Sequence, residues 1–333
     1  MSERITSHDV ARAAAVSQAT VSRALRGDPK ISETTIQRVR EAADRLGYVP
    51  SNLGRSLSRK ATGNIAVVAE LGNLTYPDTL PAMHDELDRH GYRLLLVSET
   101  PEKELDHSLL FDGSVDGVIL TTSRLHSKLP ERLRARNVPF VFLNRVTKGV
   151  DADAVVADNA GGGRQAARLL LGDGHTRIAM IAGPSDMSSA SARERAFTAE
   201  LREAGIDARD RPVLRSELTH EAGSRGWAQL MSLRERPTAV FCTADAIAVG
   251  LLNAHHARAD VPRPAVVGFD NSPVASWPAF DLTTIDTHLS EMARTASAML
   301  VERLQAMAAG DDPPARRVVV PTELVARRSH VPG

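Results

Sequence analysis

Ser17-Gln18-Ala19-Thr20-Val21-Ser22-Arg23-Ala24-Leu25 reads as one short helix with a serine at its N-cap. Upstream, Thr6 with Asp9 marks an earlier helix start, followed by Val10, Ala11, Ala13 and Ala14. Ala15-Val16 is all that separates the two helices, so the chain must turn tightly there. Val10, Val16, Val21 and Leu25 can pack the pair together. Gln18, Ala19 and Arg23 are then left on the outer face, near the start of the second helix. This is the pattern of a helix-turn-helix. The N-terminal end of such a helix carries unpaired N–H groups and a positive dipole, both suited to a phosphate backbone. Glutamine can read adenine bidentately and arginine can read guanine, each good pair giving roughly 1–3 kcal/mol of discrimination. An ordinary helical hairpin with polar residues facing solvent shares the pattern, so the motif does not decide alone.

Working outward, a third helix is expected after Ser32, with Ile36, Val39, Ala43 and Leu46 on one face and Gly47 at its end. Pro50 then opens a short segment, 51–59. Residues 1–60 hold 11 Lys/Arg against 6 Asp/Glu, whereas the rest holds 30 against 35. A basic head on an acidic body is the asymmetry expected of a small domain that meets polyphosphate. From residue 64 the pattern changes. Apolar runs of strand length at 65–68, 94–97, 118–120, 140–143, 155–157, 178–182, 239–242 and 265–269 alternate with helical stretches. That alternation predicts parallel sheets covered by helices, with too many units for one sheet. Residues 158–163 look like a crossing between two similar halves, so two doubly wound lobes facing a cleft are expected.

The chain has 333 residues, 42% of them hydrophobic and 25% charged, enough for a sizeable core. Its one cysteine, Cys242, can form neither an internal disulfide nor a zinc site, which fits a reducing cytosol. No apolar run approaches the roughly 18 residues of a membrane span, and Asp9 and Arg12 interrupt any signal-like apolar core. A cytoplasmic protein without cofactor or metal, and with no membrane partner, is expected.

The stretches Asp9-Val10-Ala11-Arg12-Ala13-Ala14-Ala15-Val16-Ser17, Thr20-Val21-Ser22-Arg23-Ala24-Leu25 and Leu46-Gly47-Tyr48 resemble the head of the lactose-repressor (LacI/GalR) family. The likeness continues through Arg55-Ser56-Leu57, Gly174-His175-Thr176-Arg177-Ile178, Val267-Gly268-Phe269-Asp270 and Pro321-Thr322-Glu323-Leu324. It implies an all-α helix-turn-helix head (1–49), a hinge (50–62) and a two-lobed α/β body of periplasmic-binding-protein type (63–333). In that body lobe 1 takes about 63–160 with a return near 287–320, and lobe 2 about 161–286 plus the C-terminal tail. It further implies a transcriptional regulator, by default a repressor, that binds a palindromic operator in double-stranded DNA as a homodimer. The implied DNA contacts are Thr6, Ser17, Gln18, Ala19, Thr20, Ser22 and Arg23 in the head, with Asn52, Arg55 and Leu57 in the hinge. There Leu57 resembles a wedge for the minor groove. Two departures stand out. Ala15 occupies a position usually held by glycine, so the turn must accommodate a Cβ. Gly54 replaces the usual alanine and costs the hinge about 1 kcal/mol of helix.

A ligand between two α/β lobes sits at the carboxyl ends of strands. Asn144-Arg145, Asp158-Asn159, Asp245 and Asp270-Asn271 all follow expected strands. Arg193, read as opening a helix, resembles the family arginine that hydrogen-bonds the small-molecule effector. The effector set is therefore Asn144, Arg193, Asp245 and Asp270, with Tyr76 and Trp277 as candidate stacking faces. The resemblance implies a sugar or sugar derivative. However, Ala244 stands where the family usually has asparagine, Ala196 where it has glycine, and residues 72–77 follow its pattern only loosely. Two rivals share the body. Gly161-x-Gly163-x-x-Ala166 mimics the fingerprint of a nucleotide-dependent enzyme, yet Asp158 would repel a pyrophosphate, and the glycines are better read as permitting the crossing between lobes. A solute-binding protein would lack the basic head.

Overall fold

The computed structural model describes residues 5–25, 28–48, 61–70, 79–98, 108–207, 211–258 and 261–331. The chain divides into two compact units, Met1–Thr62 and Gly63–Gly333.

In the first unit, α1 (Ser7–Ala13), α2 (Gln18–Ala24) and α3 (Glu33–Leu46) surround one small core. Val10, Ala14, Val21, Ala24, Val39 and Ala42 fill it, flanked by Val16, Leu25, Ile36 and Leu46. Ser17 and Ser32 cap α2 and α3 by accepting from the backbone N–H three residues on. Gly47 ends α3 in the left-handed region at φ 64°. Ala15 also has positive φ, 50°, so the turn does force an alanine into a conformation glycine would adopt freely. Of the hinge, residues 50–60 fall outside the described stretches.

The second unit holds two sheets. The larger contains β1 (Asn64–Ala69), β2 (Arg93–Ser98), β3 (Gly117–Leu120), β4 (Phe140–Leu143), β5 (Asp153–Ala157) and β11 (Arg317–Val320). They run in the order β11-β5-β4-β3-β1-β2, every pairing parallel. Both faces are covered, as parallel sheets require. One face packs on the helices Leu80–Arg89 and Leu289–Ala309 through Ile65, Val67, Met83, Leu87 and Met292; the other packs on Leu129–Ala135 through Val118, Leu120, Leu133 and Phe142. The smaller sheet has β6 (Ile178–Ala182), β7 (Val213–Arg215), β8 (Ala239–Cys242) and β9 (Ala265–Val267), in the order β7-β6-β8-β9, also parallel. β10 (Thr284–Asp286) and β12 (Glu323–Val325) form an antiparallel pair beside it.

All eight strands expected from apolar runs are present. Two readings need correction. Arg193 does not open its helix but sits in the second turn of Ser188–Glu203, because the chain needs residues 183–187 to turn away from β6. The glycines of 161–163 do not serve a crossing between lobes. A Cβ on Gly162 would lie 2.6 Å from Phe269, and one on Gly163 would lie 2.6 Å from the Arg193 carbonyl oxygen. They let the helix Asn159–Gly172 press against its own lobe.

Candidate DNA interface and effector cleft

In the head, hydroxyls expected to meet DNA are already committed to holding helix ends. Thr6 donates from its backbone N–H and its hydroxyl to Asp9 Oδ2, at 2.9 and 2.7 Å. Ser17 Oγ accepts from the Thr20 N–H at 3.1 Å and lies 2.8 Å from Thr20 Oγ1. Donation from Thr6 holds the Asp9 carboxyl below its ordinary range. Gln18, Ala19 and Arg23 are exposed, while Thr20 and Ser22 are half-buried. Gln18 Nε2 donates across the turn to Ser7 Oγ at 3.3 Å, a link that apolar spacing could not reveal. Asn52, Arg55 and Leu57 lie outside the described residues.

The body gathers its buried charge at the carboxyl ends of β6, β8 and β9. Arg193 is 2% exposed. It donates from Nε to Asn159 Oδ1 at 2.7 Å and from Nη1 to the Thr243 carbonyl at 2.7 Å, and pairs through Nη2 with Asp270 Oδ1 at 2.9 Å. Its guanidinium lies 3.7 Å from the centroid of the Phe269 ring. Asp270 adopts φ 112°, and burial raises its carboxyl pKa against the opposing pull of Arg193.

Asp245 heads the helix Asp245–His256. Its Oδ2 accepts from the Ser272 backbone N–H at 2.7 Å and hydroxyl at 3.0 Å, and its Oδ1 accepts from Thr284 Oγ1 at 2.6 Å. Burial, aided by the neighbouring Asp270, pushes its pKa up to about 7. Both Asp245 oxygens are thus engaged by residues of its own lobe. Sequence reasoning missed its partners. Ser272 could have been found by the rule that selected Asp270, since both follow β9; Thr284 left no signal.

Asn144, at φ 66° after β4, is 8% exposed, and its Oδ1 is buried without a hydrogen-bond partner. It borders a cavity of about 200 Å³ that also touches Asp158, Asn159, Ser188, Ser189 and Arg317. Asp158 itself caps a helix, accepting from the Gly161 N–H at 2.8 Å. Trp277 is 57% exposed at the end of a 3₁₀ turn and is not among the groups brought together here. Tyr76 lies outside the described residues. A larger cavity, about 560 Å³, opens at the opposite ends of β4 and β5, where Arg303 grips the buried Asp153 at 2.6 Å. That end of a parallel sheet is the wrong one for a ligand, and its charges satisfy each other.

The lobes also touch directly. Arg124 Nη1 meets Asp186 Oδ1 at 2.7 Å, the Leu125 N–H donates to the Asp186 carbonyl at 2.7 Å, and the Val146 N–H donates to Ser188 Oγ at 2.9 Å.

Comparison with known proteins agrees with this division. Residues 6–51 match the model of bacterial regulatory proteins of the lacI family, and residues 167–330 match that of a periplasmic binding protein-like domain. The HTH-type transcriptional repressor CytR of Escherichia coli K12 is 32% identical over 311 residues, spanning 92% of this chain and 91% of the relative. The transcriptional regulator CelR, solved as a cellobiose complex, is 29% identical with a TM-score of 0.72, covering 98% of this chain and 100% of the other. The lac repressor dimer bound to operator and the anti-inducer ONPF is 25% identical with a TM-score of 0.82, covering 98% and 99%. These relatives are regulators, not enzymes. Among the described residues no helix is long and apolar enough to cross a membrane. A helix-turn-helix head joined to a two-lobed body, and a curated relative matched along nine-tenths of both chains, establish that this chain belongs to the lacI family of bacterial regulatory proteins.

Proposed function

We propose that the protein is a cytoplasmic transcriptional repressor that binds a palindromic operator as a homodimer and is controlled by a small polyhydroxylated effector, a sugar or sugar derivative. The observation that carries the DNA reading is α2: a capped helix on a packed core that leaves Gln18 and Ala19 exposed in its first turn and Arg23 exposed in its last. Two-fold heads match two-fold half-sites, which is why a dimer accompanies the motif. Residues 50–62 serve as the hinge, with Asn52, Arg55 and Leu57 meeting the minor groove. In the body, Arg193, Asp270 and Asn144 face the effector and Asp245 holds the wall behind them. The cross-lobe contacts of Arg124, Leu125 and Val146 supply surface that differs between open and closed lobes. An effector shifts operator affinity only through its different affinity for those two states.

The test is selection from a library of randomised palindromic duplexes, followed by mobility shift with and without a panel of pentoses, hexoses and nucleosides. Enrichment of one two-fold site, and a change in its affinity with one panel member, is the expected result. Uniform retention of all duplexes would overturn the DNA reading. A selected site whose affinity no panel member alters would overturn the sugar assignment alone. Light scattering should give a dimer; a dominant tetramer would count against the assembly.

A further inference from the structure

We propose that Ser7, on a different helix from the reading residues, is a positioning residue that sets Gln18 to recognise adenine. The inference rests on the DNA reading above and sharpens it to one base pair. Four side-chain hydroxyls lie near the start of α2 or of the helix before it, and three of them are spent. Thr6 serves Asp9, while Ser17 and Thr20 serve each other and the α2 N-terminus. Ser7 is the fourth, and it receives the amide of Gln18 at 3.3 Å.

The chemistry of the amide gives that contact a consequence. A glutamine side chain offers two N–H donors and one carbonyl acceptor. When the N–H anti to Oε1 is the one turned to Ser7 Oγ, the other N–H and Oε1 stand side by side on the remaining edge. Adenine presents an acceptor at N7 beside a donor at N6 in the major groove, the complement of that pair. Gln18 is exposed and occupies the first position of α2, and the end of the recognition helix is the part that approaches base edges. An unrestrained glutamine must give up much of its rotamer freedom on binding. The bond to Ser7 removes part of that freedom beforehand. Ala19, next in the chain, offers only a methyl group, so no neighbouring amide competes for the same base.

Ser7 can be altered without disturbing the helix it begins, because the cap of α1 is Thr6 with Asp9. The full-length protein and the variants Ser7→Ala, Ser7→Thr, Gln18→Ala and Ser7→Ala/Gln18→Ala are each applied to the randomised palindrome library. Affinity is then measured on the selected site and on duplexes changed at each position. Gln18→Ala should erase an adenine preference at one position in each half-site, a loss of roughly 5- to 100-fold in discrimination. Ser7→Ala should lower discrimination about 3- to 10-fold at that same position and nowhere else. Ser7→Thr should restore it, and the double variant should be no worse than Gln18→Ala. Thermal unfolding of the Ser7→Ala protein checks that its head is intact. A Ser7→Ala loss spread evenly over all positions overturns the proposal, as does an additive double variant or a Gln18 position that prefers another base. Failure of the unaltered protein to enrich any duplex removes the DNA reading itself, and the pairing with it.

Discussion

Gln18 at the start of α2 and Arg23 in its last turn are both exposed, and the Gln18 amide holds one contact, to Ser7. At the carboxyl ends of β6, β8 and β9, Arg193 and Asp270 are packed against one another, and Asn159, Thr243 and Phe269 close around the guanidinium. Both places gather short polar residues and an arginine. They differ in who satisfies those groups before the partner arrives. At the head it is a few exposed neighbours within three residues or across one turn, so removing a reader costs binding and little of the fold. In the body it is the protein, so the same groups hold the wall in shape, and removing one costs the fold as well.

The most severe way to break this contrast is Arg193→Ala. It strips Asp270 and Asn159 of a buried cationic partner and should destabilise the body by about 3–5 kcal/mol, read by chemical denaturation. Arg193→Lys should recover only part of this, since one ammonium cannot reach three acceptors set around a planar fork. A loss below about 1 kcal/mol would mean that the network is not structural.

Asp245→Ala comes next. It leaves the Ser272 N–H and two hydroxyls without an acceptor and should cost about 2–3 kcal/mol. The same carboxyl gives a pH signature. Its pKa rises from an ordinary 3.8 to about 7 in the folded body, with burial as the main cause. The fold thus favours the neutral form. Its contribution is fully present below about pH 4, fades as pH climbs through 7, and is level above that. Asp245→Asn, which is neutral throughout, should show a flatter melting temperature between pH 4 and 8 than the unaltered protein. Equal slopes would remove Asp245 as the source.

The head should behave in the opposite sense. Arg23→Ala should weaken binding to the selected operator by about 1–3 kcal/mol while shifting the unfolding free energy by no more than about 0.5 kcal/mol. A large stability loss would erase the distinction between the two regions. The smallest effect expected is a gain. Ala15→Gly should relieve the left-handed turn at φ 50° and stabilise the head by about 0.5–1 kcal/mol, measured by its thermal unfolding. The cleft offers no such gain at Asn144, whose φ of 66° suits an asparagine, or at Asp270, whose carboxylate pairs with Arg193.

How far each region was legible follows from the same difference. Ser17, Val21, Ser32 and Gly47 act through neighbours three or four residues away, so the head could be read from spacing alone. Seven of the eight strands announced themselves because burial on both faces demands unbroken apolar runs, and the edge strand β2 because its run Leu94–Val97 is apolar although only half-buried or exposed. β7, β11 and β12 did not, being three or four residues long and mostly half-exposed or exposed, and β10 did not because only Ile285 in its three residues is apolar. The cleft was half legible. The strand-end rule found Asp245 and Asp270, but whether a carboxylate faces a ligand or a wall depends on donors brought from 27 and 39 residues away. A backbone carbonyl such as that of Thr243 has no sequence signature at all.

The order in which the chain visits its lobes bears on how it can be made. The six-stranded sheet is built from residues 64–157 and then left open until β11 arrives at Arg317–Val320 to cover the edge of β5. The smaller lobe, begun at residue 159, needs Ser329, whose hydroxyl receives the Thr283 N–H and donates to the Val266 carbonyl. On a ribosome, then, neither lobe can finish before the other is nearly complete, and a growing chain carries the raw edge of β5 through about half of its synthesis. Loss of residues 317–331 would wound both lobes at once, and the nascent protein depends for that interval on whatever shields it from its neighbours.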